Sequence, residues 1–231
     1  KEMMGVRFDH LAGAFQKLTE DRMTEWVEFA VGKTKIPTIV CAGGVFMNVK
    51  ANQRVEAIKA IRKFFVLPSC ADESAPLGCC YLGYRDLCLK TGQQFSVEPI
   101  GDIYWGPDVS REDLKEILTR IKNSEHFRLK HLKNPPQEIA KLLVQGEVVA
   151  RMAGRMEFGA RALGNRSLLA NPSQVKIVRE INLRMKNRDF WMPFAPTILW
   201  ERMTEYIKNP RNIQSPYMML RFDTTTVCQE K

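Results

Sequence analysis

Long apolar runs, zinc-type cysteine pairs, histidine and internal repetition are scarce or absent in this 231-residue sequence. No stretch is long and apolar enough to cross a bilayer. No charged-then-apolar leader opens the sequence, so secretion is not expected. The six cysteines (Cys41, Cys70, Cys79, Cys80, Cys88 and Cys228) form no Cys-x-x-Cys pair, which removes the common zinc and dithiol motifs. Cys41, Cys79, Cys80 and Cys88 stand in apolar runs and read as buried thiols, as expected of a reducing cytoplasm. Of the three histidines, His10 lies near the start of the first helical pattern, as a surface or capping residue or as a ligand. The lack of repeats and low-complexity tracts excludes solenoids and unstructured linkers.

What is there fits one large globular domain or two small ones, with 45% apolar and 26% charged residues. The net charge is +9. Fourteen Lys/Arg against seven Asp/Glu lie at 151–231, so +7 of it falls in the last third. Nucleic acid, an anionic membrane surface or a small phosphorylated ligand would each suit such a balance. Its concentration favours a local anion site. The centre of that third is Ala150 to Ala170, with four arginines (Arg151, Arg155, Arg161, Arg166), three glycines (Gly154, Gly159, Gly164) and one acid, Glu157. Glycine lets backbone approach a ligand closely, and the guanidinium fork matches phosphate and carboxylate. Arginines scattered for solubility are the bland alternative, but solubility does not require glycine spacing.

Taken in order, Asp9–Val31 reads as a helix with Leu11, Phe15, Leu18, Trp26, Phe29 and Ala30 inward. Thr38–Ala42 is a buried strand running into Gly43-Gly44 and Asn48, then a helix from Asn52 to Ile61. A strand, a Gly-Gly turn and a helix start can present backbone N–H groups to a phosphate, although a tight turn needs glycine anyway. Lys63–Leu67 is a second strand, followed by the loop Pro68–Ser74 and a helix Ala75–Leu89. Ligands of open α/β sheets bind at such carboxyl ends. Asp72 and Glu73 are therefore candidate metal or proton-transfer groups, or else Asp72 or Ser74 caps the helix and Glu73 complements its dipole. Thr91–Gly106 is a Gly/Pro-rich connector and the best domain boundary. Beyond it come a helix capped by Ser110, a short strand Phe127–Leu132, a helix Gln137–Val144, strands Val148–Met152 and Ser167–Ala170, and a helix Gln174–Met185. The basic cluster Lys186-Asn187-Arg188-Asp189, a stiff aromatic loop Phe190–Pro196, a helix Glu201–Ile207 and a strand Tyr217–Phe222 complete the pattern.

The run Gly154-Arg155-Met156-Glu157-Phe158-Gly159-Ala160-Arg161-Ala162-Leu163-Gly164-Asn165-Arg166-Ser167 resembles the signature of the O-carbamoyltransferases, the nodulation-factor and aminoglycoside carbamoylating enzymes. Their pattern has proline where this chain has Ala160. Asn182–Pro196 resembles the family's next block, and Ala42–Val45 with Asn48 and the loop Pro68–Gly78 resemble the end of its first domain. The resemblance implies an α/β protein in two parts. Residues 1–92 would be the C-terminal part of an actin/Hsp70-like ATPase-fold domain, of the kind found in the tRNA threonylcarbamoyltransferase. Residues 93–231 would be a YrdC-like twisted α/β domain.

The implied chemistry is formation of carbamoyladenylate from carbamoyl phosphate and ATP, then transfer of the carbamoyl group to a hydroxyl acceptor. Arg155, Arg161, Lys186 and Arg188 would hold the reacting anions, with Arg166, Asn165 and Ser167 binding substrate. Gly43, Gly44 and Asn48 would approach a nucleotide, and Asp72 matches the family's metal-binding aspartate. The family loop has Gly-Asp-Ala where this chain has Ala71-Asp72-Glu73. ATP, Mg2+ and iron or another divalent metal are the cofactors so implied. A further N-terminal half or a partner chain is expected to complete the first domain, and this polypeptide alone is expected not to carbamoylate an acceptor. No membrane partner is expected. Two rival readings are an RNA-binding or tRNA-modification module and an inactive nucleotide-binding domain. The aromatics do not interleave with basic residues as on single-strand platforms, which weakens the first.

Overall fold

The computed structural model describes residues 5–229, a mixed α/β chain. Its helices are α1 Phe8–Thr34, α2 Val49–Glu56, α3 Ala75–Thr91, α4 Arg111–Lys122, α5 Pro135–Val144, α6 Val175–Glu180, α7 Met203–Tyr206 and α8 Thr226–Gln229. Its strands are β1 Thr38–Cys41, β2 Lys63–Val66, β3 Val149–Met152, β4 Arg166–Leu169, β5 Ile207–Lys208 and β6 Asp223–Thr224. The described contacts divide into two compact units. The first holds residues up to 99 together with 200–229, and the second holds residues 100–199. The sequence reading places a boundary at 92/93 and assigns everything after it to the second part. Here residues 200–229 pack in the first unit instead. Met219 joins Cys41, Val66 and Cys70 in its core, and Asn52 Nδ2 donates to the Met219 carbonyl at 2.9 Å.

The first unit is built on a crossover. β1 and β2 pair in parallel, Thr38 opposite Lys63 through Cys41 opposite Val66, with α2 between them in the chain. Asn48 caps α2 by accepting from the Ala51 N–H at 3.1 Å, so the helix begins three residues before the expected Asn52. It ends at Glu56 rather than Ile61, because the chain turns to bring Lys63 beside Thr38. The carbonyls exposed by that turn, of Glu56 and Ile61, both accept from Arg211.

α1 runs 27 residues, but its buried face is not the expected one. Phe15, Leu18, Trp26 and Phe29 are exposed, while Glu20, Met23 and Val31 are buried. The reason is the partner. α2 offers apolar Ala51 and Val55 to Met23, and basic Lys50 and Arg54 to Glu20. Glu20 is buried because it accepts from Gln16 at 2.8 Å and pairs with both cations. Together these hydrogen bonds and ion pairs hold its carboxyl below the usual range despite desolvation.

In the second unit β3 and β4 form an antiparallel hairpin, Val149 opposite Leu169 and Met152 opposite Arg166. Ser110 caps α4 by accepting from the Asp113 N–H at 2.9 Å. The expected strand Phe127–Leu132 is not formed, and the expected strand Tyr217–Phe222 of the first unit is also absent. A strand needs a ladder partner. β3 and β4 take each other, and Met218 at φ 57 turns the chain where the second strand was expected. α6 does not run regularly to Met185 but widens into a π-helical turn at Ile181–Met185, a feature common at functional sites. No helix among the described residues is long and apolar enough to cross a membrane.

Candidate functional site

The Arg-Gly stretch is the loop of the β3–β4 hairpin, and its only acid organises it. Glu157 is 6% exposed. Its Oε1 accepts three backbone N–H groups, from Leu163 at 2.8 Å, Asn165 at 2.7 Å and Arg166 at 3.1 Å. Desolvation alone would raise its carboxyl, but these N–H donors and its own backbone outweigh that and hold it below the usual range. Gly164, at φ 108, supplies the backbone turn between two of those donors.

The arginines around this carboxylate bind backbone oxygens. Arg151 Nη1 donates to the Gly164 carbonyl and to Asn165 Oδ1 at 3.2 Å. Arg155 donates through Nε to Gly106 O at 3.0 Å and through Nη2 to Trp105 O at 2.5 Å. Arg166 Nη1 donates to Ala153 O at 3.2 Å and Asn165 O at 3.1 Å. Each guanidinium has five donors, so these contacts fix its position without consuming its charge. Asn165 Nδ2 donates to the Arg155 carbonyl at 2.8 Å. Ser167 Oγ accepts from the Gly164 N–H at 2.9 Å and keeps a hydroxyl donor for other use. Arg161 is half-buried in the same loop.

The segment 103–107, at the end of the expected connector, lies directly on this loop. Phe158 N donates to Ile103 O at 2.7 Å, Gly106 N to Met156 O at 2.9 Å and Met156 N to Pro107 O at 3.0 Å. Tyr104 Oη donates to Leu163 O at 2.8 Å, and the Trp105 and Phe158 rings lie 5.3 Å apart.

A second assembly surrounds Asn182, which is fully buried in the π-helical turn. Its Nδ2 donates to Phe190 O at 3.1 Å and Met192 O at 2.9 Å, and its Oδ1 accepts from Arg188 Nε at 2.6 Å. Arg188 stacks over Phe194 at 4.6 Å, and Arg179 over Phe190 at 5.5 Å. Two basic–aromatic stacks thus form here in space. Lys186 is exposed beside Asn187, whose φ is 46. Sequence alone does not mark Asn182 as a site residue; its one trace is an amide on the helix that runs into a basic cluster.

In the first unit, Gly43 at φ 115 donates its N–H to Cys70 O at 2.6 Å, and a Cβ on Gly44 would touch the Ala71 Cβ at 3.9 Å. The loops after β1 and β2 thus adjoin at the carboxyl end of the strand pair. Asn48 is engaged locally. Besides its cap it accepts from Gln16 Nε2 at 3.1 Å and donates to Gln16 Oε1 at 2.8 Å. Asp72 is exposed in a 3-10 turn, Asp72–Ser74. The expected cap of α3 is absent. Glu73 accepts from Ser69, and Ser74 Oγ donates to Ala71 O at 2.8 Å. Among the described residues no three His, Cys, Asp or Glu side chains converge on one point. Asp72 could supply one ligand to a metal, but these residues alone do not form a cage. His10 is exposed, with its backbone N–H on Asp9. A cavity of about 230 Å³ lined by Phe64, Phe65, Tyr217 and Met219 carries none of the expected site residues.

Residues 140–231 match the family model described as carbamoyltransferase C-terminus. The chain is 32% identical to nodulation protein NolNO of Sinorhizobium fredii, across 80% of this chain and 27% of that protein. It is 32% identical to nodulation protein NolO of Bradyrhizobium diazoefficiens, across 82% of this chain and 33% of that protein. It is 31% identical to an uncharacterised protein of Methanocaldococcus jannaschii, across 87% of this chain and 32% of that protein. The chain spans about a third of the length of the curated relatives it matches.

Proposed function

We propose, for a chain that belongs to the carbamoyltransferase family, that the second unit forms carbamoyladenylate and that the carbamoyl group then passes to a hydroxyl acceptor. Carbamoyl phosphate, water and ATP give carbamoyladenylate, orthophosphate and pyrophosphate. The carbamoyl–phosphate linkage is hydrolysed, a carbamate oxygen attacks the α-phosphorus, and pyrophosphate leaves. The acceptor hydroxyl then attacks the carbamoyl carbon, loses its proton and expels AMP.

The observation that carries this reading is the loop 153–165. Backbone carbonyls hold Arg155 and Arg166 in place beside it, while its one acid is satisfied by backbone N–H groups rather than by a guanidinium. Two unit negative charges 4 Å apart repel by about 4 kcal/mol at an effective dielectric near 20. Bringing a carbamoyl-bearing anion to a triphosphate therefore calls for several fixed cations. Arg155, Arg161 and Arg166 from the hairpin and Lys186 and Arg188 from the segment just after the π-helical turn supply them in this reading, and the Ser167 hydroxyl donates to an anionic oxygen. Asn165 acts through its amide contacts to Arg151 and Arg155. Mg2+ accompanying ATP would screen phosphate charge and is held largely by the phosphates themselves.

The second unit is read as the YrdC-like domain, and the first as part of an actin/Hsp70-like domain whose Gly43, Gly44 and Asn48 lie toward a nucleotide. Asp72 would be one ligand of a divalent metal completed by other residues, and no step is derived through it. Location in the cytoplasm belongs to the same reading.

The test is carbamoyl-phosphate-dependent exchange of labelled pyrophosphate into ATP. The chain is expected to support exchange but not transfer to an acceptor by itself. A folded chain that exchanges no label at saturating substrates would rule the adenylate step out. The Arg179–Phe190 and Arg188–Phe194 stacks favour one second reading, an RNA-binding surface. Its mark would be RNA affinity that falls steeply with salt.

A further inference from the structure

We infer that Glu157 is a positioning residue, whose carboxylate sets the conformation of the backbone from Leu163 to Arg166 and so the placement of Arg166 and Ser167 toward the carbamoyl-bearing anion. The inference rests on the reaction proposed above.

Glu157 is 6% exposed, and its Oε1 is turned to the Leu163, Asn165 and Arg166 N–H groups, so its reach to the anion runs through the backbone it binds. Three N–H groups converging on one oxygen form an anion-binding concavity of the kind that elsewhere takes a phosphate. Here the protein supplies the anion itself. The consequence is both geometric and electrostatic. The donors span both sides of Gly164, which sits at φ 108, so the carboxylate holds the loop in a turn that most residues resist. That turn places the Gly164 N–H on Ser167 Oγ at 2.9 Å and the Gly164 carbonyl on Arg151. Because neutral N–H groups satisfy the carboxylate, the positive charge of the loop is kept for an outside anion. An aspartate or glutamate ion-paired to Arg155 or Arg166 in the same place would cancel part of it.

The full chain, Glu157→Ala and Glu157→Gln are compared in the exchange reaction, with carbamoyl phosphate varied at saturating ATP. Glutamine keeps an oxygen acceptor at the same reach, whereas alanine keeps none. The expected result is a KM for carbamoyl phosphate raised at least tenfold in E157A and less than threefold in E157Q, with kcat per folded molecule within threefold of wild type in both. A merely structural role would reduce the folded fraction, and hence the maximal rate, while leaving KM unchanged. That outcome overturns the inference.

Amide hydrogen exchange keeps the question open to refutation if E157A does not fold. The Leu163, Asn165 and Arg166 amides of the wild type are expected to exchange at least tenfold more slowly than those of the exposed Gly154 and Gly159. Equal rates would overturn the inference without touching the reaction. A wild type with no pyrophosphate exchange removes the reaction, and this inference with it.

Discussion

Asn182 Oδ1 accepts a hydrogen bond from Arg188 Nε at 2.6 Å, and the amide nitrogen of the same side chain holds the carbonyls of Phe190 and Met192. One fully buried amide thus ties the basic cluster to the aromatic loop. Replacing it by alanine leaves two carbonyls and a guanidinium without these partners. These partners are half-buried or exposed, so each lost bond costs about 1 kcal/mol, and more only where water cannot reach the stranded group. Asn182→Ala is therefore expected to lower stability by roughly 2–4 kcal/mol. Urea unfolding followed by far-ultraviolet circular dichroism checks this. Trp191 is already 61% exposed, so its fluorescence in the native baseline should change little. A loss below about 0.5 kcal/mol would show that the loop does not depend on the amide.

Gly106 lies so close to the arginine loop that a side chain would collide with it. A Cβ there would stand 2.9 Å from the Met156 Cβ and 3.0 Å from the Met156 carbonyl oxygen. One of these neighbours is backbone, so the two segments must part. Gly106→Ala is expected to destabilise the second unit by about 1–3 kcal/mol. It should also speed amide exchange at Met156 and Phe158, whose N–H groups donate to Pro107 and Ile103. Thermal melts and residue-resolved hydrogen exchange measure the two effects.

These two sites show what the sequence discloses and where it stops. Asn48 and Ser110 are legible as helix caps, because capping is local chemistry between a side chain and an N–H three residues on. The two strands flanking the Arg-Gly stretch are legible as short apolar runs on either side of a glycine-rich turn that brings them together as a hairpin. The buried face of α1 is not. Its aromatic residues mark an apolar stripe, but α2 presents Lys50 and Arg54, and that partner draws in Glu20 and leaves Phe15 and Trp26 exposed. The strand expected at Tyr217–Phe222 fails because strand formation depends on an available ladder edge, which propensity does not contain. In the candidate site, the glycines of the Arg-Gly stretch are legible as a turn-rich loop between two strands. That Arg155 reaches the carbonyls of Trp105 and Gly106, some fifty residues earlier, depends on tertiary contact and leaves no local trace.

Glu157 gives the second unit a pH signature. Its carboxyl is held below the usual range by the net effect of the backbone donors. A carboxyl lowered in the folded state stabilises the fold fully above its unfolded value, about 4.3. That contribution is lost as pH falls through the lower folded value. Stability of the second unit is therefore expected to be level, so far as Glu157 sets it, from neutral pH down to about 5 and to decline below about 4.3. Glu157→Gln, which cannot titrate, should flatten that acid limb. Denaturation midpoints measured every half unit between pH 3 and pH 7 compare the two, and parallel curves would assign the acid loss to other carboxyls.

The cysteines test the placement of α3 and the first core. Cys41 and Cys70 are buried, and desolvation, with the neighbouring Cys70, pushes the Cys41 thiol up to about 11. Cys88 is also buried, whereas Cys79, Cys80 and Cys228 are exposed. Since the thiolate is the reactive form, alkylation of the native chain at pH 8 is expected to reach Cys79, Cys80 and Cys228 first. Cys41, Cys70 and Cys88 should resist until denaturant is added. Peptide mass mapping separates the sites. Early labelling of Cys41 would contradict the core between β1, β2 and Met219. Protection of Cys79 and Cys80 would mean that α3 is covered.

Arg211 fastens residues 200–229 to the α2 end of the first unit. It donates to the Glu56 and Ile61 carbonyls, and its Nη1 lies 2.6 Å from Glu56 Oε1. Because Nη1 is turned toward the Glu56 carbonyl, the two charges attract without a well-aligned hydrogen bond. Burial raises the Glu56 carboxyl, and Arg211 opposes that rise. Arg211→Ala therefore removes the C-terminal carbonyl partners of α2 and pushes Glu56 up further. A carboxyl raised in the folded state favours the fold only while protonated, and that contribution is lost as pH climbs through the raised value. The variant is expected to lose about 1–3 kcal/mol at neutral pH. The deficit should narrow as pH falls toward 4.5, where Glu56 can take up a proton. Paired melts of wild type and variant at pH 4.5 and pH 7 decide it. A deficit that is the same at both values would mean that only the carbonyl contacts matter, and one that grows on acidification would reverse the sign assigned to Glu56.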